Sequence, residues 1–456
     1  MRKSLPVLIC LVMLAGGAAL YAQDADAQAP EASAPATPGA AAAPAPPKID
    51  SGDTAWVLVS TALVLVMTAP GVALFYGGMV RSKNALSTFL QSFIILCLIS
   101  IQWVLWGYSL AFGPDVGGII GSLEWFGLNG VGGEPNADYA PTIPHQAFML
   151  FQMMFAVITP ALITGAFAER VKFSSFILFT LLWATFIYDP LAHWVWGVGG
   201  WVRNLGALDF AGGTVVHISS GVAGLVCAIV VKRRLGHGKE PMQPHNLPMT
   251  LLGASLLWFG WFGFNAGSAL TSGALAASTF TATNTATAAA ALAWMIAEWM
   301  YRGKPSALGA ASGAVAGLVA ITPASGFVGP MSSIWIGIGA GVLCYTAVML
   351  KPLFGYDDAL DAVGVHGVGG TWGALATGLF ASKAVNSAGA DGLFFGNPKQ
   401  LIIQAMAVLV TWVFVFVGTL IVLAVVAAIT GLRVNEEEEQ SGLDLSQHDE
   451  KAYSQG

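Results

Sequence analysis

The chain has 456 residues, of which 55% are hydrophobic and 10% charged, whereas an ordinary soluble domain is roughly a quarter charged. That composition excludes a water-soluble globular fold. With 19 Lys and Arg against 25 Asp and Glu, it also leaves no basic surface of the kind that binds nucleic acid.

Residues 1–22 open with Arg2-Lys3, run apolar from Leu5 to Leu20 and end in Tyr21-Ala22, the layout of a cleaved secretory signal peptide. The apolar run is short for a membrane span, and an Ala/Pro-rich segment follows directly. Residues 23–50 have no hydrophobic period from Gln23 to Lys48 and read as a disordered linker outside the membrane.

A membrane domain is expected over 51–434. A spanning helix needs about 20 mostly apolar residues, and eleven stretches qualify: about 54–80, 86–112, 146–168, 173–196, 212–231, 248–268, 274–299, 307–324, 330–350, 362–381 and 400–432. The fold class expected is therefore an all-α membrane protein of eleven transmembrane helices. Basic residues collect in alternate connections: Arg81 and Lys83, Arg170 and Lys172, Lys232 to Arg234 with Lys239, Arg302 and Lys304, Lys351, and Arg433 with Lys451. By the positive-inside rule these lie in the cytoplasm, which puts the mature N-terminus outside and the C-terminal tail, 435–456, inside. Cys10, Cys97, Cys227 and Cys344 each sit in an apolar run without redox or metal spacing, and read as core residues.

Two motifs recur five spans apart. Val216-His217 and Val365-His366 both open V-H-x-x-x-G-x-x-G, and Ile158-Thr159-Pro160-Ala161 returns as Ile321-Thr322-Pro323-Ala324. Five crossings is an odd number, so the matching helices run in opposite directions. This is a five-plus-five inverted repeat with an additional C-terminal helix, a plan that places the pathway between repeats.

His217 and His366 are polar groups inside predicted spans, each followed by glycines that admit a neighbouring backbone. They read as facing members of one pore. Two buried imidazoles are expected to be neutral, one donating to the other while a free nitrogen accepts from a small solute, with a proton relay available. A cation filter would use carboxylates or carbonyl rings, and a catalytic zinc three protein ligands; neither accompanies these histidines, so no metal, cofactor or enzyme activity is expected. Towards the outer face the span directions gather Phe151, Phe155, Trp196, Phe264 and Ser268, rings for cation–π attraction with a hydroxyl acceptor. Asp209 precedes a Gly-rich helix start and reads as its cap, adding local negative potential.

At this point the chain resembles the bacterial ammonium transporters of the Amt/Rhesus family. The resemblance rests on Ala73-Leu74-Phe75-Tyr76-Gly77-Gly78, on Asp209 through His217, on Gly260-Trp261-Phe262-Gly263-Phe264-Asn265-Ala266-Gly267-Ser268 and on Gly364-Val365-His366-Gly367, within roughly residues 52–456. It implies an outer ammonium site at Phe155, Trp196 and Ser268 supported by Asp209. It further implies a gate of Phe151 and Phe155 with Phe264 against them, and a pore lined by His217 and His366, with Thr322 matching a pore-side threonine. A homotrimer in the bacterial inner membrane is implied, each pore recruiting ammonium, deprotonating it and passing ammonia with net charge carried. The acidic run Glu436 to Glu439, ordinarily a solvated surface, belongs in the family to a tail that meets a PII-class signalling protein. Competing readings are a Rhesus-type neutral gas channel, against which Trp196 and Ser268 weigh, and an ammonium sensor, against which the lack of a fused signalling domain weighs.

Overall fold

The computed structural model describes residues 48–453. The expected signal peptide, and the expected linker up to residue 47, lie outside the described residues.

Helices overlie the expected apolar stretches. They are α1 (Ser51–Met79), α2 (Ser82–Phe112), α3 (His145–Phe167), α4 (Phe173–Asn204), α5 (Gly213–Val231), α6 (Leu247–Gly267), α7 (Ala274–Arg302), α8 (Ala307–Ile321), α9 (Pro330–Phe354), α10 (Val363–Val368 continued by Gly369–Phe380) and α11 (Pro398–Thr430). Eight of them, α1 to α6 with α9 and α11, are long and apolar enough to cross a membrane, so the chain is an all-helical, multi-pass membrane protein. The other three differ in kind. α7 is long but diluted by Ala and Thr, α8 has 15 residues, and α10 opens in a Gly-containing π-helical turn.

Helix ends follow local chemistry. Ser306 accepts from Gly309 N at 2.9 Å to start α8, and Asn246 accepts from Met249 N at 3.0 Å to start α6 with Pro248 in its first turn, each satisfying an orphan N–H. Gly303, at φ 84°, ends α7 in the left-handed region. Among the described residues the strands are two short antiparallel hairpins in the α2–α3 connection.

α3 is the central element, with 89% of its apolar window buried, and α11 is peripheral at 28%. α5 and α10 cross at their glycines: a Cβ on Gly221 would lie 2.1 Å from Gly367 N, and one on Gly370 2.9 Å from His217 Cβ. Of the cysteines, Cys227 and Cys344 are buried as expected, but Cys97 is exposed on the outer face of α2, where an apolar thiol can face lipid.

The connections that carry the tail form a charged layer. Arg234 pairs with Asp357 at 2.9 Å and Glu169 at 3.4 Å, and Arg81 with Glu169 at 2.6 Å. Burial would raise both carboxyls, yet the Arg234 guanidinium beside them, joined at Glu169 by Arg81, holds each below the usual carboxylate range. The tail folds onto this layer as α12 (Glu436–Ser441) and α13 (Leu443–His448). Asp444 accepts from Leu86 N and Ser87 N at 3.1 and 2.8 Å. Within the acidic run Glu436 and Glu437 are exposed, but Glu439 is 1% exposed; it pairs with Arg433 at 2.6 Å and accepts from Leu235 N at 2.6 Å.

Candidate functional site

Five elements bring the expected site residues into one file of rings. Trp196, the last residue of the regular part of α4, donates Nε1 to Asp209 O at 2.9 Å and meets Phe155 of α3 edge-on, centroids 5.8 Å apart. Phe151, one turn earlier on α3, also meets Phe155 edge-on at 5.0 Å. Phe155 lies against Phe264 of α6 at 4.3 Å, Phe264 is 6.0 Å from His217, and His217 lies 5.4 Å from His366 with ring planes 21° apart. Trp196 is half-buried, whereas Phe151, Phe155 and Phe264 are 0% exposed and the histidines 1% and 3%. The file thus runs from a wetted indole into an interior sealed by apolar rings.

Ser268 follows Phe264 by one turn and donates its hydroxyl to Phe264 O at 2.9 Å, which leaves the oxygen able to accept. Asp209 spends its carboxylate on the start of α5. Oδ1 accepts from Gly212 N at 2.9 Å and Gly213 N at 2.5 Å, and Oδ2 from Thr214 N at 2.8 Å and from the Thr214 hydroxyl. Its link to the aromatic end is its backbone carbonyl, so its support of Trp196 is positional.

Each histidine sits in a π-helical turn, Gly213–Ile218 and Val363–Val368, a geometry frequent at functional sites. The expected hydrogen bond between the imidazoles is not formed. Neither nitrogen of His217, nor Nδ1 of His366, has a hydrogen-bond partner among the described residues. Thr322 is buried and donates to Leu318 O at 2.7 Å.

Two residues of the site escaped the sequence reading. Trp261 stacks on His217 at 5.3 Å and 25° and donates Nε1 to Thr322 Oγ1 at 2.9 Å; its place one helical turn before Phe264 puts both on one face, a signal present in the Gly260-to-Ser268 stretch. Asp358 accepts from Ala362 N at 3.1 Å and Val363 N at 2.8 Å, capping α10 at the same distance ahead of His366 as Asp209 stands ahead of His217.

Residues 55–453 match the model of the Ammonium Transporter Family. The chain is 59% identical over 404 residues to an ammonium transporter of Bacillus subtilis, covering 88% of this chain and 98% of that one. In structure it is similar to Mep2 of Candida albicans, with TM-score 0.81 and 38% identity over 86% of this chain and 88% of that chain. It is also similar to a protein titled Sensor Amt Protein, with TM-score 0.78 and 33% identity over 87% and 98%. With an aromatic file that ends on paired histidines, and with these matches along nearly all of the described residues, the chain belongs to the Ammonium Transporter Family.

Proposed function

We propose that the chain recruits ammonium at Phe155, Trp196 and Ser268, strips its proton, and passes ammonia along His217 and His366 with a proton following. The observation that carries this reading is the near-parallel histidine pair, 5.4 Å apart at the buried end of the ring file, with ring nitrogens lacking protein partners. Cation–π attraction, worth roughly 0.5–2 kcal/mol, favours any small cation at the outer rings. Ammonium additionally donates hydrogen bonds, which the Ser268 oxygen can accept, whereas K⁺ cannot donate. Past Phe155 and Phe264 the bore is apolar and a full charge is costly; neutral ammonia crosses and finds unpaired imidazole nitrogens to accept from or donate to.

The reading includes eleven spans arranged as a five-plus-five inverted repeat. Its support is the shared construction of the two half-sites, an aspartate cap, a π-helical turn and a histidine, on α5 and α10. It also includes a cleaved signal peptide at 1–22 followed by the linker, a homotrimer in a bacterial inner membrane with the mature N-terminus periplasmic, and a PII-class protein docking at the cytoplasmic tail side. A pull-down from nitrogen-replete cells that recovers no PII protein would remove that last element.

The test is solid-supported-membrane electrophysiology on purified protein in liposomes. His366→Ala should abolish the ammonium-evoked current or admit K⁺. Retention of the current with unchanged selectivity overturns the proton-relay reading. A wild-type protein that passes ammonia without current would favour the neutral gas channel.

A further inference from the structure

A groove of about 1360 Å³ opens between α5, α9, α10 and α11, running from the tail-side ends of α5 and α9 in to Trp412 midway along α11. Its walls include Leu225, Ile229, Ala347, Leu350, Val363 and Trp412, and no ring of the aromatic file and neither pore histidine lines it. Ile229 is 52% and Leu350 42% exposed, so the walls offer apolar surface outward on helices that cross a membrane.

The mouth of the groove is basic. Lys232, Arg233 and Arg433 line it, with Glu436 as the acidic residue beside them. Arg433 is committed to Glu439 at 2.6 Å and to the carbonyls of Val231 and Arg233. Arg233 is steadied by Nε donating to Gly355 O at 2.8 Å, and the Lys232 amine has no partner among the described residues. Lys232 and Arg233 follow directly on Val231, the last residue of α5, so an apolar cleft passes into two available cations at the depth where the helix ends. Basic pockets between spans on the cytoplasmic side suit anionic lipid headgroups.

We propose that this groove holds one anionic phospholipid of the tail-side leaflet, an acyl chain along Ile229, Leu350 and Trp412 and the phosphate against Lys232 and Arg233. A zwitterionic lipid brings the same phosphate but adds a headgroup cation that the basic pair repels, and a free phosphate makes no use of the apolar walls. Glu436 repels the headgroup from the solvent side and keeps it over the basic pair. The inference does not rest on the transport reading; it requires only that these helix ends lie at a membrane surface.

The test is native mass spectrometry of delipidated, full-length protein titrated with phosphatidylglycerol, with phosphatidylcholine of the same acyl chains, and with glycerol 3-phosphate. One phosphatidylglycerol per chain should be held in preference to phosphatidylcholine. Lys232→Gln and Arg233→Gln should each weaken phosphatidylglycerol binding about fivefold and narrow its lead over phosphatidylcholine. Glu436→Gln should strengthen it, and Ala347→Phe should weaken both lipids. Equal affinity for the two lipids, or phosphatidylglycerol binding unchanged in both charge variants, overturns the proposal. So does glycerol 3-phosphate binding as tightly as the lipid, or a disulfide between copies of an Ala347→Cys variant, which would put a second copy in the groove.

Discussion

Trp261 hangs its indole N–H on Thr322 Oγ1 at 2.9 Å while its ring face lies 5.3 Å from His217. A hydroxyl at the C-terminal cap of α8 thereby fixes the ring that backs a pore histidine on α5. Thr322→Val keeps the shape and removes the acceptor, leaving a buried N–H unpaired at a cost of about 1–3 kcal/mol. The variant should melt earlier in detergent and carry less ammonium current in liposomes, and Thr322→Ser should restore both. Equal currents in the valine and serine variants would show that the threonine merely fills space.

Gly221→Ala should be far more damaging than its single methyl suggests. The new Cβ would sit 2.1 Å from Gly367 N and 2.3 Å from Gly367 Cα, and both are backbone atoms with no rotamer to yield. Loss of monodisperse protein on size exclusion is expected. Gly370→Ala is less crowded, its Cβ meeting His217 Cβ at 2.9 Å and the backbone atoms Ile218 N and Gly213 O at 3.0 and 3.1 Å; it should shift the turn that carries His217 and lose current more than stability.

The charged layer on the tail side gives the protein an acid limit. Glu169 and Asp357 are buried, with folded-state pKa values below the ordinary carboxylate values of about 4 because Arg234 neighbours both. A depressed carboxylate contributes stability above its unfolded pKa and loses it as pH falls towards the folded one. Thermal melts should therefore be flat from neutral pH down to about 4 and fall steeply below it. Arg234→Ala should cost about 3–5 kcal/mol at neutral pH by removing the guanidinium paired with buried Asp357, while Glu169 keeps Arg81 at 2.6 Å; a melt unchanged by it would refute the role given to this layer.

Asp209→Asn replaces a carboxylate that gathers the N–H groups of Gly212, Gly213 and Thr214 with an amide that has one accepting oxygen. A loss of about 1–2 kcal/mol is expected for such a cap, with ammonium current reduced because both His217 and the Trp196 contact are positioned through this loop. Asp358→Asn should act on His366 in the same direction. A variant that alters the melt and spares the current would confine the aspartate to stability.

The helices were readable because apolar length is a local property, and the histidines because polar groups inside apolar runs stand out and recur in the same motif. Trp261 was missed, although its spacing to Phe264 put it on the same face. It is one of 15 Trp, and only the crossing of α6 past α5 distinguishes it from an interfacial anchor. Asp358 stands beside Asp357 and close to Asp361, and composition cannot tell which caps α10 and which pairs with Arg234. The tail misled for a similar reason: an acidic run reads as solvated until Arg433 and the α5–α6 connection fold back to meet Glu439.

The π-helical turns under His217 and His366 make chain length at these two places a structural quantity. Each holds one residue more than a regular α-turn would, so deleting a single residue restores ordinary pitch and swings whatever lies on one side of it by about 100°. The histidine would then leave its ring neighbours, or the capping aspartate would lose its N–H groups. An insertion or deletion in either turn therefore unseats the pair even when both histidines and the crossing glycines are kept.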